Sequence, residues 1–208
     1  MSQICYIIGA GDNFKDDLFY PDDDDLVIAA DGGYKFLKEN NIRTDIILGD
    51  FDSLDKDTEM IGSQIIKLNP VKDETDTLYA INKGIEKGYK IFKIYGGTGG
   101  RTDHTISNMQ SLCMLAKKNM QGFLYTEKEI ITVIHNTSLS FDKTQQGYIS
   151  VFSLDTESYG VNETGLKYSL ENYTMSNSYP IGVSNEFVGK ESTISVDNGT
   201  LMIIYPRN

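Results

Sequence analysis

The chain has 208 residues, of which 39% are apolar and 11% aromatic, and its formal net charge is −11. This length suits one domain or two small ones with real hydrophobic cores. The acidic balance argues against nucleic acid and against an anionic membrane as partners, because both would repel the protein.

Apolar runs in the first half of the chain end repeatedly in Gly or Asp, at residues 7–12, 27–33, 46–50 and 94–97. Between them, apolar residues at helical spacing predict helices over 75–87 and 104–118. The second predicted helix carries Ile106, Met109, Cys113 and Ala116 on one face. Strands that alternate with helices indicate an α/β fold with a mostly parallel sheet and flanking helices. Ligands bind such sheets at the carboxyl ends of the strands, where these Gly and Asp clusters fall.

The segment Gly49-Asp50-Phe51-Asp52-Ser53 places two carboxylates where one of these strands ends. Alternate residues of an extended backbone point the same way, so Asp50 and Asp52 can face one point in space. Clustered carboxylates repel each other unless a cation lies between them, and Mg²⁺ prefers such oxygen ligands. The alternative is an Asp-rich turn, since Gly, Asp and Ser are ordinary turn formers.

A glycine-rich segment, residues 96–104, precedes the second predicted helix. Four glycines in five residues permit positive φ angles and a close approach of backbone amides to a bulky anion. Arg101 adds a planar fork suited to phosphate, and the helix start adds amide donors. The alternative is a flexible turn with Thr102 or Asp103 as a simple N-cap. The chain contains no Walker or dinucleotide-binding glycine motif.

Acidic residues also precede the first predicted helix. Asp73 and Asp76 have the spacing of an N-cap and a first-turn acid, which is a structural interpretation. The functional interpretation is that Asp31, Asp50, Asp52, Asp76 and Asp103 converge on one edge of the sheet. That much negative charge requires bound cations.

From residue 129 onward, short β-rich runs replace the helical stripes, at residues 130–134, 148–152, 193–196 and 201–205. Several short strands with regular turns predict a small antiparallel β-sandwich. Asn198-Gly199 between the last two runs predicts a hairpin. We therefore expect two domains, an α/β domain over residues 1–126 and a β-sandwich over residues 127–208.

The cysteines indicate a reducing compartment. Cys5 lies in the first predicted strand and Cys113 on a predicted helix, where both are expected to be buried thiols without a disulfide. The chain shows no basic leader before its first apolar run and no apolar stretch of membrane-spanning length. A cytoplasmic protein that does not bind membranes is expected.

These motifs, in this order, resemble the thiamine pyrophosphokinase family. The resemblance is carried by Asp31-Gly32-Gly33, the Asp50 segment, Asp73-x-Thr75-Asp76, the segment Gly96 to His104, Gly165-Leu166-Lys167-Tyr168-x-Leu170 and Ser184-Asn185. It implies an α/β nucleotide-binding domain, a C-terminal β-sandwich, and a homodimer with thiamine near the subunit interface. Animal members carry a tryptophan that stacks on thiamine; this chain has none, and Met202 or a neighbour stands there.

The resemblance also implies roles for single residues. Mg²⁺ would be held by Asp50, Asp52, Asp76 and Asp103, which together with Arg101 form the expected catalytic set. ATP would be held by Asp31, Gly32, Gly97, Thr98, Gly99, Gly100, Arg101 and His104. Thiamine would contact Ser184, Asn185 and Met202.

The expected activity is transfer of the pyrophosphoryl group of ATP to the hydroxyl of thiamine, which leaves AMP. Such chemistry asks a protein mainly for positioning and electrostatics. Three alternatives use the same residues: a Mg²⁺-dependent phosphohydrolase, a diphosphokinase acting on a pterin alcohol, and a sensor that binds nucleotide or thiamine without reaction.

Overall fold

The buried apolar runs of the first half form the parallel sheet that the sequence predicts. The computed structural model describes residues 3–14, 18–50, 63–69 and 73–207. Two compact units emerge from its contacts: Met1–Ser111 with Leu124–Glu127, and Leu112–Phe123 with Lys128–Asn208. Each is described in turn.

The first unit is built on five parallel strands in the order β5-β1-β2-β3-β4. The central strands β2 and β3 are fully buried, which explains their continuous apolar sequences. The strands are β1 (Ile4–Ile8), β2 (Leu26–Ala30), β3 (Ile46–Gly49), β4 (Gln64–Lys67) and β5 (Ile91–Tyr95).

Three helices occur among the described residues: α1 (Gly33–Glu39), α2 (Asp76–Glu86) and α3 (Thr102–Lys117). None of them has the length and apolar character needed to cross a membrane. Helix α2 begins at an N-cap different from the predicted one. The Thr75 side chain accepts a hydrogen bond from the Leu78 N–H at 3.2 Å, so Thr75 and not Asp73 caps the helix, with Asp76 in the first turn.

The predicted apolar face of α3 is only partly correct, since Ala116 alone of its four residues is buried. Ile106 is 52% exposed, whereas Leu112 and Leu115 are fully buried. Two polar residues, Asn108 and Ser111, share the buried side of the helix. Both use their side chains in hydrogen bonds to backbone carbonyl groups, which makes their burial tolerable.

Four aromatic rings stack one on another within the first unit. Tyr6 stacks on Phe19 with 4.2 Å between ring centroids, Phe19 on Tyr95 at 5.4 Å, and Tyr95 on Tyr125 at 4.4 Å. Tyr95 is the last residue of β5. The stack therefore supports the point at which the chain leaves β5 for the glycine-rich segment.

The second unit is the antiparallel β-sandwich that the sequence predicts. One sheet has the order β12-β9-β14-β7 and the other β11-β10-β13-β8. Apolar side chains of both sheets, such as Val151, Val161, Ile194 and Leu201, form one buried core. The strands are β7 (Glu129–His135), β8 (Ser138–Phe141), β9 (Tyr148–Ser153), β10 (Glu157–Thr164), β11 (Leu170–Ser176), β12 (Asn185–Glu186), β13 (Ser192–Ser195) and β14 (Thr200–Pro206); β6 (Gln121–Tyr125) has residues in both units.

The predicted hairpin at Asn198-Gly199 does not exist. Strand β13 pairs with β8 and β10, whereas β14 pairs with β7 and β9, so the segment crosses from one sheet to the other. It is held by strand β10 and by the turn after β7: Asn198 N donates to Tyr159 O, and Gly199 N donates to the Asn136 side chain at 2.8 Å. The Asn-Gly pair indicates a turn but does not specify which strands pair.

Candidate functional site

The loops that follow β1 and β5 are joined by backbone hydrogen bonds. Gly9 N donates to Tyr95 O at 2.8 Å, Gly11 N to Gly96 O at 2.9 Å, and Asp12 N to Thr98 O at 2.9 Å. This pairing continues the β1–β5 ladder beyond the ends of the two strands. The first part of the glycine-rich segment, Gly96 to Thr98, is therefore a supported loop, which argues against a freely flexible turn there.

Three of the four glycines of this loop adopt the positive φ that the sequence predicts. Gly96, Gly99 and Gly100 have φ angles of 60°, 80° and 62°, a region that L-residues with a side chain rarely enter. A Cβ atom on Gly99 would lie 2.0 Å from Oδ2 of Asp12, so the loop also needs glycine for space. The Asp12 carboxylate thus lies next to Gly99 at the edge of the candidate anion site.

Two residues that the sequence analysis missed hold the two paired loops in place, Asn108 the glycine-rich loop and Asn13 the loop after β1. The buried Asn108 of α3 donates from Nδ2 to Gly97 O at 2.7 Å. Asn13 donates from Nδ2 to Gly9 O and Gly11 O, at 3.2 and 3.1 Å. The signal for Asn108 was present, because an amide inside an apolar helical stretch needs a partner when it is buried. Its partner could not be named without the fold.

Arg101 and Asp103, expected to grip phosphate and metal, bind each other in this structure. Arg101 Nε donates to Asp103 Oδ1 at 3.1 Å, and its NH2 group donates to Oδ2 at 2.6 Å. This hydrogen bonding lowers the pKa of Asp103 below its ordinary value and raises the pKa of Arg101. Both side chains are exposed, 72% and 63%, as is His104 next to them. They are accessible to a ligand that would exchange this pair for its own contacts.

The backbone of Asp31 lies close to the end of the neighbouring strand β3, next to Asp50 in the chain. Asp31 N donates to Leu48 O at 2.7 Å, and a Cβ atom on Gly49 would lie 3.1 Å from the Asp31 Cα. Asp31 has a φ of 52°, and Gly32 after it is the N-cap of α1. The structure thus places Asp31, Gly32 and Asp50 at the carboxyl ends of neighbouring strands, as predicted.

The predicted metal site is described only in part, because Asp52 lies outside the described residues. Within the described ranges, no three His, Cys, Asp or Glu side chains lie close enough together to hold a metal ion. Asp50, Asp76 and Asp103 do supply the hard oxygen donors that Mg²⁺ prefers, at a strand end and at two helix starts. The donor chemistry fits Mg²⁺, while the four-aspartate set stays a prediction.

The predicted thiamine contacts differ in their placement. Asn185 is 5% exposed and faces the sandwich core. On the adjacent strand β9 it is paired with the buried Ile149. Ser184 is exposed, with a φ of 60°, and its N–H donates to Ser150 Oγ. Met202 alternates with the core residues Leu201 and Ile203 and so lies on the other face of its sheet. One chain does not bring Met202 and Asn185 together.

The amide of Asn185 uses all of its hydrogen-bonding capacity inside the unit. Its Oδ1 accepts from the N–H groups of Tyr168 and Glu186 at 3.0 and 2.9 Å. Its Nδ2 donates to Tyr168 O at 2.6 Å and to Glu163 Oε2 at 2.7 Å. In this arrangement Asn185 positions the segments around Tyr168 and Glu186.

The structure thus combines an α/β unit, whose supported glycine loop suits a phosphate ligand and whose aspartates supply oxygen donors for a cation, with a β-sandwich. Residues 20–124 match the thiamin pyrophosphokinase catalytic domain, and residues 136–201 match the thiamin pyrophosphokinase vitamin B1 binding domain. The chain is 30% identical to thiamine pyrophosphokinase of Bacillus subtilis over 98% of both chains.

Solved structures agree with this match. The crystal structure of the Bacillus subtilis thiamine pyrophosphokinase superposes with a TM-score of 0.89 at 27% identity, covering 100% of each chain. Thiamin pyrophosphokinase of Geobacillus thermodenitrificans superposes with a TM-score of 0.87 at 26% identity, over 99% of this chain and 98% of its own. The chain therefore belongs to the thiamin pyrophosphokinase family.

Proposed function

We propose that the protein transfers the pyrophosphoryl group of ATP to thiamine, giving thiamine diphosphate and AMP. The observation that carries this proposal is the family match over both units, since the catalytic and vitamin B1 binding domains are both present. The supported glycine loop adds independent support because it suits the phosphate-bearing substrate that the reaction needs.

In the proposed reaction the thiamine hydroxyl oxygen attacks the β-phosphorus of ATP. The bond from that phosphorus to the oxygen shared with the α-phosphorus breaks, and AMP leaves with the bonding electron pair. The hydroxyl proton passes to an aspartate at the strand ends. The backbone amides of Gly97, Thr98, Gly99 and Gly100 hold phosphate oxygens.

Arg101 contributes through a change of partner. Its fork binds Asp103 in this structure, and phosphate oxygens offer the same planar, bidentate contact with more negative charge. ATP binding would therefore release the Asp103 carboxylate toward the metal. Asp31, Gly32 and His104 complete the proposed ATP contacts.

Asp50, Asp52, Asp76 and Asp103 are the proposed Mg²⁺ ligands. Bound Mg²⁺ would neutralise charge around the β-phosphoryl group and help to hold the reactants in line. Without it, these carboxylates would repel the triphosphate. The protein's own part is then to orient the two reactants and to accept the proton.

Thiamine is proposed to bind the β-sandwich unit near Ser184 and Asn185, with Met202 contributing from the second subunit of a homodimer. Exposed apolar side chains on this unit, including Tyr168, Ile181 and Val183, support association, because water-exposed apolar surface favours burial. We place the protein in the cytoplasm, in keeping with its free cysteines.

The decisive experiment is incubation with ATP, thiamine and a divalent metal while AMP and thiamine diphosphate are measured together. The expected result is one AMP for each thiamine diphosphate, and no product without metal. ADP in place of AMP would contradict the proposal, as would phosphate release that does not depend on thiamine. Sedimentation on the same preparation tests the dimer; a fully active monomer would exclude it.

A further inference from the structure

A buried carboxyl group in the β-sandwich unit has one oxygen without a partner. Glu163 lies on β10 and is 1% exposed. Its Oε2 accepts a hydrogen bond from Asn185 Nδ2 at 2.7 Å, whereas Oε1 has no hydrogen-bond partner among the residues that the structure describes. Buried carboxyl oxygens are normally satisfied, because an unmade hydrogen bond in a low-dielectric environment is costly.

No described cation compensates the charge of Glu163. Burial raises its pKa above the ordinary value, and only the Asn185 amide acts in the opposite direction. The fold therefore keeps, at some cost, an acidic group that contributes no ion pair to the core. A cost of this kind is expected where a group serves a ligand.

Glu163 lines a cavity of about 260 Å³ together with Tyr168, Leu170, Ile181, Gly182, Val183 and Asn185. Pockets that enclose drug-sized ligands usually measure about 300–1,000 Å³, so this cavity suits a single ring. Its walls are mainly apolar and aromatic, and Glu163 is their acidic group. A flat, weakly polar ring that carries hydrogen-bond donors matches this lining.

We propose that Glu163 is a specificity-determining residue of the thiamine site, whose Oε1 accepts a hydrogen bond from the amino group on the pyrimidine ring. This inference rests on the proposed function, because thiamine is the ligand that it assigns to the cavity. The full engagement of Asn185 supports it. Asn185 has no hydrogen bond left to offer, so it fixes the Glu163 carboxyl and Tyr168, and Glu163 contacts the substrate.

The test compares thiamine with the analogue in which a carbonyl oxygen replaces the ring amino group. Direct binding is measured by calorimetry. The wild-type protein should prefer thiamine by about tenfold or more, because a hydrogen bond to a charged group contributes about 1.5–3 kcal/mol. In Glu163→Gln, the new amide oxygen accepts from Asn185 and its NH₂ group faces the cavity. Thiamine should then bind about tenfold more weakly, and the carbonyl analogue more tightly than it binds the wild type.

Glu171→Gln is the matched control, since Glu171 is an exposed glutamate of the same unit. It should leave the preference unchanged. Equal preferences in wild type and Glu163→Gln would overturn the proposal. If Glu163→Gln does not fold, the affinities of the wild-type protein for thiamine and for the carbonyl analogue decide. A wild-type protein that binds the two ligands equally, or that binds no thiamine, also overturns the proposal.

The product assay separates this proposal from the proposed function. Thiamine diphosphate and AMP formed by a protein whose ligand preference does not depend on Glu163 would leave the function standing and remove the role of Glu163. A Glu163-dependent preference without product would leave the binding assignment standing and remove the function.

Discussion

Replacing Asn108 by Ala tests whether the glycine-rich loop depends on its anchor in α3. The Asn108 amide is 4% exposed and donates to Gly97 O at 2.7 Å. The substitution leaves a buried carbonyl group unsatisfied, which costs about 1–3 kcal/mol. A loss of about 2 kcal/mol lowers the melting temperature of a chain of this size by roughly 4–8 °C. The loop would also lose a fixed position for its amides, so the KM for ATP should rise more than that for thiamine.

Urea unfolding and steady-state kinetics with ATP as the varied substrate measure the two effects. Gln110→Ala, on the exposed side of the same helix, is the control and should change neither. Asn108→Leu keeps roughly the size of the side chain and removes the donor without adding a charge, which separates the hydrogen bond from the volume. If Asn108→Ala matches Gln110→Ala in stability and in the KM for ATP, the loop does not depend on this anchor.

Three further predictions follow from the remaining site residues. Asp50→Asn, Asp52→Asn and Asp103→Asn should each lose most turnover with little change in unfolding free energy, because repulsion between the carboxylates of Asp50 and Asp52 would be relieved and the exposed Asp103–Arg101 pair stabilises the fold little; near-normal rates in two of them at saturating Mg²⁺ would exclude these residues as the site. Asn185→Ala should raise the KM for thiamine far more than the KM for ATP, and an equal effect on both would contradict its placement. Because burial raises the pKa of Glu163, the folded protein holds that proton more tightly than the unfolded chain. The stabilisation from this protonated group is therefore complete below the ordinary pKa of 4.5 and is lost as the pH rises through the raised pKa. Over this pH range, the unfolding free energy of Glu163→Gln should increase relative to that of the wild type. A difference between the two proteins that does not change with pH in urea unfolding would refute this.

The strand ends could be predicted from sequence because their cause is local. A buried parallel strand is a continuous apolar run, and the backbone that leaves it needs Gly or Asp, as in β1, β2, β3 and β5. The left-handed glycines at 96, 99 and 100 follow from the same local chemistry.

Other features escaped because their cause lies in residues distant along the chain. Asn108 is buried only because Gly97 O is there to receive its hydrogen bond, so the apolar pattern alone selected only part of the buried face of α3. Glu163, within a β-rich stretch, resembles a solvent-facing residue until the Asn185 amide is placed beside it. The Asn198-Gly199 turn is local, whereas the partners of β13 and β14 are set by the whole sandwich.

The stack of Tyr6, Phe19, Tyr95 and Tyr125 gives this protein a built-in optical signal. The chain has no tryptophan, so its near-ultraviolet circular dichroism comes mainly from tyrosine and phenylalanine rings held in fixed orientations. Tyr95 immediately precedes Gly96 and is 4% exposed within that stack. A change in the loop is therefore expected to alter the orientation of one of the rings that contribute to the signal. The proposed occupation of the loop by nucleotide is therefore expected to change this signal in the unlabelled protein, in solutions without thiamine.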